Sequence, residues 1–230
     1  MTVPIHAGPT VLLTGFKPFA GMDYNPSWDV VSEMAAAAQE SRLHTQANHP
    51  SMQLHTALLP VEFQASSTEL TRQISELTPD LVISLGLAAG ISCVRLERVG
   101  LNLRDARIPD NAGHQPAGEP VVPGASGALF STARLKAAHS VIAAEGIPVD
   151  LSLSAGSFVC NNVLYTLLHS LAANSEPHGT TVPGGFVHLP DLRSPESPLT
   201  AAQAVHAVDL LINESLRREA DLQAPAGSLH

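Results

Sequence analysis

The chain has 230 residues, 44% of them hydrophobic and 14% charged, with a net charge of −9 and only 12 Lys+Arg. That length supports one substantial core, the composition excludes a disordered chain, and no apolar run reaches the roughly 18 residues of a membrane span. An acidic balance without a basic cluster argues against nucleic acid and membrane surfaces as partners, and two cysteines, Cys93 and Cys160, are too few for a secreted disulfide framework.

Residues 1–9 read as a loose leader with no basic-then-apolar signal pattern, which predicts a cytoplasmic protein. Thr10–Leu13 predicts a short apolar strand ending at Thr14 and Gly15. It enters FKPFAGMDYNPSWDVV, a loop punctuated by Gly15, Pro18, Gly21 and Pro26, with Ser27 the expected N-cap of a helix to about Gln39. Phe16 and Phe19 in that loop are either core plugs or pocket walls. Residues 41–51 are polar and loop-like, Leu54–Pro60 predicts a second strand, and Phe63–Leu77 predicts a helix with Leu70, Ile74 and Leu77 along one side. Asp80–Leu85 is a continuous apolar strand of the kind buried on both faces. It ends in Gly86-Leu87-Ala88-Ala89-Gly90, which lacks the glycine spacing of a nucleotide loop.

Val94–Asp105 shows no clean amphipathic face, and within it Glu97 sits among apolar neighbours, unusual for a carboxylate. A solvent-facing or Arg98-paired glutamate is the ordinary alternative. Residues 106–128 hold too many Gly and Pro for a regular element and read as a long ordered loop. Ser131–Glu145 predicts a helix stopped by Gly146 and Pro148. A strand through Val149, Leu151 and Leu153 then runs into Ala155, Gly156 and Ser157, and reaches Cys160 immediately before a helix carrying Val163, Leu164, Leu167, Leu168 and Leu171. A polar loop (Asn174–Thr180), a last strand (Thr181–Leu189) with His188, and a helix from Leu199 to about Glu219 follow, with a frayed tail over 220–230. Alternating strands and helices predict a single α/β domain over 10–219, a three-layer α/β/α sandwich with a mostly parallel central sheet. Its strand ends at Gly15, Gly86, Gly156 and near His188 can meet where such sheets bind ligands.

The chemistry gathers at Cys160. Small residues before it let the backbone bend and a ligand approach, and the helix start that follows offers unpaired N–H groups and the positive end of a dipole. Such a position favours a thiolate nucleophile, against the alternative of a buried structural cysteine. Of 11 histidines, His188 is better placed than most, late in an apolar strand after Gly184 and Gly185. Facing Cys160, it would take the thiol proton and return it to a leaving amine, and Glu97 on its other nitrogen would fix the tautomer. No HExxH or paired-cysteine spacing supports a metal, and no cofactor is expected.

Four stretches carry a resemblance to a known family. They are TGFKPFAGMDYNPSW at 14–28, GLAAG…LERVGLNLRDARIPDNAG at 86–113, SAGSFVCNNVLY at 154–165 and GGFVHLP at 184–190. In that order they resemble the signatures of the pyroglutamyl peptidase I (pyrrolidone-carboxylate peptidase) family of cysteine peptidases. The resemblance implies Cys160 as nucleophile, His188 as general base and acid, and Glu97 as the residue orienting the histidine. It also implies Arg107 as a site-supporting residue, and Phe16, Phe19, Phe158, Val159 and Ile108 as an apolar wall around the substrate's lactam ring. Asn25 would supply an amide nearby and Leu87 a backbone carbonyl for the ring N–H. Pyroglutamate has no N-terminal ammonium, so apolar walls with a few hydrogen bonds suit it, whereas a charged amine would be buried unpaired and excluded. The implied activity is an omega peptidase removing N-terminal pyroglutamyl residues through a thioester, in a homodimer or homotetramer. Two departures, Ile91 in the loop after the third strand and Arg95 two residues before Glu97, motivate the alternative of a weak or inactive lactam-binding member.

Overall fold

The first strand, β1 (Thr10–Phe16), shows how the layers are made. Its Val11 and Leu13 enter one apolar core and Leu12 the other, because successive side chains leave a strand on opposite faces. The computed structural model describes residues 8–173, 182–217 and 219–225. In chain order β1 is followed by α1 (Pro26–Gln39), α2 (His44–Asn48), β2 (Gln53–Leu59), α3 (Phe63–Leu77), β3 (Leu81–Leu87), β4 (Val94–Glu97) and β5 (Val99–Leu101). Then come β6 (Arg104–Asp105), β7 (Ala117–Glu119), β8 (Ala128–Phe130), α4 (Leu135–Ala144), β9 (Val149–Ser152), α5 (Val159–Ala173), β10 (Gly184–Leu189) and α6 (Ala201–Leu216).

Six strands form one sheet in the order β2-β1-β3-β10-β4-β9. Every neighbouring pair is parallel except β10 and β4. One core packs Val30, Val31 and Met34 of α1, Ala138 and Ile142 of α4, and Val208 and Leu211 of α6 on one sheet face. The other packs Phe63, Leu70 and Ile74 of α3 and Val163, Leu164 and Leu167 of α5 on the opposite face. This is the three-layer α/β/α sandwich with a mostly parallel sheet.

Several local expectations are corrected. β1 extends through Gly15 to Phe16. Asn25, not Ser27, caps α1: its side chain accepts from Ser27 N, and Pro26 opens the helix. The polar stretch 41–51 contains α2, whose first turn is capped from far away by the buried Asp209 of α6, which accepts from Thr45 N at 3.0 Å. The long loop 106–128 contributes β7, which pairs with β6, and leads into β8, which pairs with β5. The helix expected from Ser131 begins only at Leu135, because the Thr132 and Ala133 N–H groups bond the Gly184 carbonyl instead. β9 ends at Ser152 and leaves Leu153 60% exposed. β10 begins at Gly184; the expected start at Thr181 and the polar loop 174–180 lie outside the described residues. Asp221, expected within a frayed tail, accepts from Lys136 N and Ala137 N and so caps α4. Residues 1–7 of the leader and 226–230 of the tail lie outside the described residues.

Candidate active site

Strand parity decides what the site can contain. Val187 and Leu189 of β10 enter the core under α1 and α6, so Phe186 and His188 point to the α5 side. On β4, Val94 and Leu96 enter that same first core, which turns Arg95 and Glu97 to the α5 side as well. The antiparallel register sets His188 opposite Arg95 and Phe186 opposite Glu97. The His188 imidazole leans back along the sheet, with its ring 4.9 Å from that of Phe186. Its Nδ1 meets Glu97 Oε1 at 2.8 Å. Glu97 is 1% exposed, not solvent-facing, and its second oxygen Oε2 is buried without a hydrogen bond. The Glu97 main chain is pinned by Ser131 Oγ, which donates to its carbonyl at 2.6 Å.

Cys160 occupies the first turn of α5 and is half-buried. Its sulfur lies over β3 at Gly86, whose register partner on β10 is His188. Burial opposes the charged form of His188. The charge of Cys160 and a hydrogen bond to it, with a hydrogen bond to Glu97 and its charge, outweigh that and raise the imidazole to about 9. The arrangement is an imidazole held by a buried carboxylate, with a thiol over the neighbouring strand at its register partner Gly86. Such a relay can deprotonate a thiol, store the proton as imidazolium and deliver it to a leaving group.

The aromatic residues separate into two sets. Phe16 is 2% exposed and packs on Phe186 with ring centroids 6.4 Å apart, so its ring is core. Phe19 is half-buried and packs in a tilted pair with Phe158 at 5.1 Å, and Phe158 meets Phe63 edge-on at 5.3 Å. Val159 is fully buried among core residues. Leu87, half-buried, ends β3 beside Leu189. Asn25 spends its side chain on the loop after β1, donating to the Lys17 carbonyl and accepting from Ser27 N and Oγ. Arg107 is exposed and Ile108 is 49% exposed, both on the loop after β6.

Four further residues shape the site. Asn161, directly after Cys160, accepts from Leu101 N and donates to the carbonyls of Leu101 and Leu103. Asn162 accepts from Arg104 Nε and donates to the Phe63 carbonyl and Ser67 Oγ. Asp110 is 6% exposed; it accepts from Phe63 N at the start of α3 and from Ala112 N and His114 N. Phe63 completes the aromatic group. The signals in the sequence were two consecutive asparagines on an apolar helix and an aspartate between Pro109 and Asn111, both pointing to backbone clamps.

A family model described as Pyroglutamyl peptidase matches residues 9–208. The chain belongs to the pyroglutamyl peptidase family. Among its relatives, the pyrrolidone-carboxylate peptidase of Clavibacter michiganensis subsp. michiganensis is 40% identical over 96% of this chain and 99% of the relative. That of Escherichia fergusonii is 39% identical with the same coverage. The crystal structure of pyroglutamyl peptidase I from Bacillus amyloliquefaciens superposes with a TM-score of 0.82 at 32% identity, covering 94% of this chain and 99% of that one. The pyrrolidone carboxyl peptidase of Thermococcus litoralis gives 0.79 at 29% identity, with coverage of 94% and 99%. Members of this family are cysteine peptidases, and Cys160, one of two cysteines, stands where the fold brings an imidazole and a buried carboxylate together.

Proposed function

We propose that the chain hydrolyses the amide bond after an N-terminal pyroglutamyl residue of peptides, with Cys160, His188 and Glu97 as its catalytic triad. The observation that carries the reading is the 2.8 Å contact between His188 Nδ1 and the buried Glu97, with the Cys160 sulfur lying over Gly86, the register partner of His188. The Cys160 thiolate attacks the pyroglutamyl carbonyl. The first-turn N–H groups of α5 are the nearest donors for the oxyanion. The C–N bond breaks as imidazolium donates its proton to the amine, leaving a thioester and neutral His188. Water then loses a proton to His188 and attacks the thioester, releasing pyroglutamate and restoring the thiolate and imidazolium. Glu97 holds the ring and balances its charge throughout. The Phe19, Phe158 and Phe63 group supports an apolar lactam site that rejects a charged N-terminus.

Asn25, Leu87, Ile108, Val159 and Arg107 enter this reading by family resemblance, Val159 through its backbone because its side chain is enclosed. Two free cysteines support a reduced, cytoplasmic setting, and no helix among the described residues is long and apolar enough to cross a membrane. The test is release of a fluorescent amine from a pyroglutamyl amide under reducing conditions, against the prolyl amide. Turnover of the pyroglutamyl amide alone, abolished in Cys160→Ala, is expected. Turnover that survives Cys160→Ala overturns the assignment, and binding of pyroglutamyl amide without turnover turns the reading into a lactam-binding protein.

A further inference from the structure

The sheet order is a ruler across the site. Phe16 ends β1 and Phe19 follows it, Gly86 of β3 lies beneath Cys160, His188 stands on β10, and Arg95 stands on β4 as the register partner of His188. The aromatic rings that suit the lactam lie on the β1 side of the thiol. The leaving amine takes its proton from His188 and therefore departs on the β10 side, toward β4. The next side chain in that direction on the same sheet face is Arg95.

Arg95 is also unusually unengaged. The chain carries 21 Asp+Glu against 12 Lys+Arg, so carboxylates are plentiful. Yet Arg95 forms no ion pair among the described residues, and its Nε is buried without a hydrogen bond. A buried donor left unpaired is disfavoured, so such a group calls for a reason. The neighbouring carboxylates are occupied or turned away. Glu97 is held by His188, and Asp150, opposite Arg95 on β9, turns its Oδ1 to Leu151 N at 2.8 Å. Its charge and a hydrogen bond from it act on the neighbouring Cys93 thiol, and the side chain is half-buried, so that part of it faces solvent.

We propose that Arg95 is a specificity residue that binds a carboxylate on the residue following pyroglutamate. That carboxylate is either an aspartate or glutamate side chain or the free C-terminus of a pyroglutamyl dipeptide. A guanidinium presents its donors as a planar fork that fits a carboxylate in two parallel hydrogen bonds, so the preference is for that group rather than for any polar residue. The inference rests on the pyroglutamyl-peptide reading of the site.

The experiment compares kcat/KM for pyroglutamyl-glutamate amide, its isostere pyroglutamyl-glutamine amide, and pyroglutamyl-glutamine with a free carboxylate, beside the neutral fluorescent amide. The wild-type chain is expected to favour the glutamate amide over the glutamine amide by about tenfold at low salt, the ratio shrinking as ionic strength rises. In Arg95→Thr the ratio falls to about one, and in Arg95→Lys, which keeps charge without the fork, it lies between. A ratio taken within each variant is independent of how much folded enzyme is present. The free-acid dipeptide against its amide tells a terminal carboxylate from a side-chain one. Equal rates for the glutamate and glutamine amides in wild type, or a preference that survives Arg95→Thr, overturn the role of Arg95. Failure of wild type to cleave even the neutral fluorescent amide instead overturns the activity on which it rests.

Discussion

Gly86 lies directly beneath the Cys160 thiol: a methyl group on its Cα would stand 3.0 Å from Sγ and 2.8 Å from Phe186 Cζ. The absence of a side chain at Gly86 is therefore what lets α5 seat its first turn against β3. It also fixes the height of the sulfur above the sheet, and so its approach to His188.

Gly86→Ala is expected to lower kcat by about 10²-fold, because displacing a nucleophile by an ångström suffices for a loss of that size. The added methyl has to move either the thiol or the Phe186 ring, and Phe186 is fully buried, so the thiol yields. Steady-state kinetics with circular dichroism to verify folding checks this. A variant with unchanged kcat would mean the sulfur is not positioned by β3.

The pH behaviour follows from His188, which burial alone would hold uncharged but which Cys160 and Glu97 together raise to about 9. A folded-state value above the unfolded value of about 6.5 means protonation of His188 stabilises the fold. That contribution is complete below about 6.5 and is lost as pH rises through about 9. The alkaline limb of kcat/KM is expected near 9 in the same window. Glu97→Gln removes one of the groups that raise the imidazole, so the limb should move toward neutrality by about one unit while kcat falls by roughly 10²-fold or more. An alkaline limb that stays in place in Glu97→Gln would remove Glu97 from the relay.

Asn161 makes three hydrogen bonds to the main chain of β5 and the residues after it, and it is fully buried. Asn161→Ala removes the partner of the Leu101 N–H and of the Leu103 carbonyl, while the Leu101 carbonyl keeps its bond from Leu103 N, and is expected to destabilise the fold by about 2–3 kcal/mol. Asn161→Asp keeps the acceptor for Leu101 N and loses both donors, so its midpoint in a urea titration should be similarly lowered, with a carboxylate now facing two carbonyls. Equal stability of wild type and Asn161→Ala would show that the clamp contributes nothing.

How much of this was legible in the sequence depends on the range over which each interaction acts. The helix over Phe63–Leu77 and the apolar strand now seen as β3 were readable because helical and strand periodicities are local properties of the chain. The short helix at His44–Asn48 was not, because its cap is a carboxylate from α6, 165 residues away along the chain in its contact with His44 N. The strands within and beside the 106–128 loop were hidden for a related reason. They are three residues long at most and exist through pairing with β5 and β6, in β7 against the glycine at its centre. At the candidate site, the strand-to-helix position singled out Cys160 and the apolar neighbours singled out Glu97, and the structure seats the first over Gly86 and buries the second against His188. The side-chain parity of β4, which carries both Glu97 and Arg95 to the thiol's side of the sheet, required the antiparallel pairing with β10. That single reversed strand is what the local sequence could not declare.

The two thiols provide an internal control. Burial pushes the Cys93 thiol up, only partly offset by the charge of Arg95 and a hydrogen bond from it, and Asp150 adds to the upward shift. Cys93 is half-buried, so its protection comes from being protonated rather than from being inaccessible. Cys160 instead sits against the imidazolium of His188. At neutral pH iodoacetamide is expected to alkylate Cys160 first, with loss of hydrolysis in step, and Cys93 about tenfold more slowly or less. Peptide mass mapping of a time course resolves the two. Prior pyroglutamate, bound as proposed at the aromatic group beside Cys160, should protect Cys160 and leave Cys93 unaffected. Preferential labelling of Cys93 would contradict the assignment of the nucleophile. In Arg95→Thr, where the offsetting charge and hydrogen bond are gone, Cys93 should become slower still, which separates the effect of Arg95 on its neighbouring thiol from its effect on substrate choice.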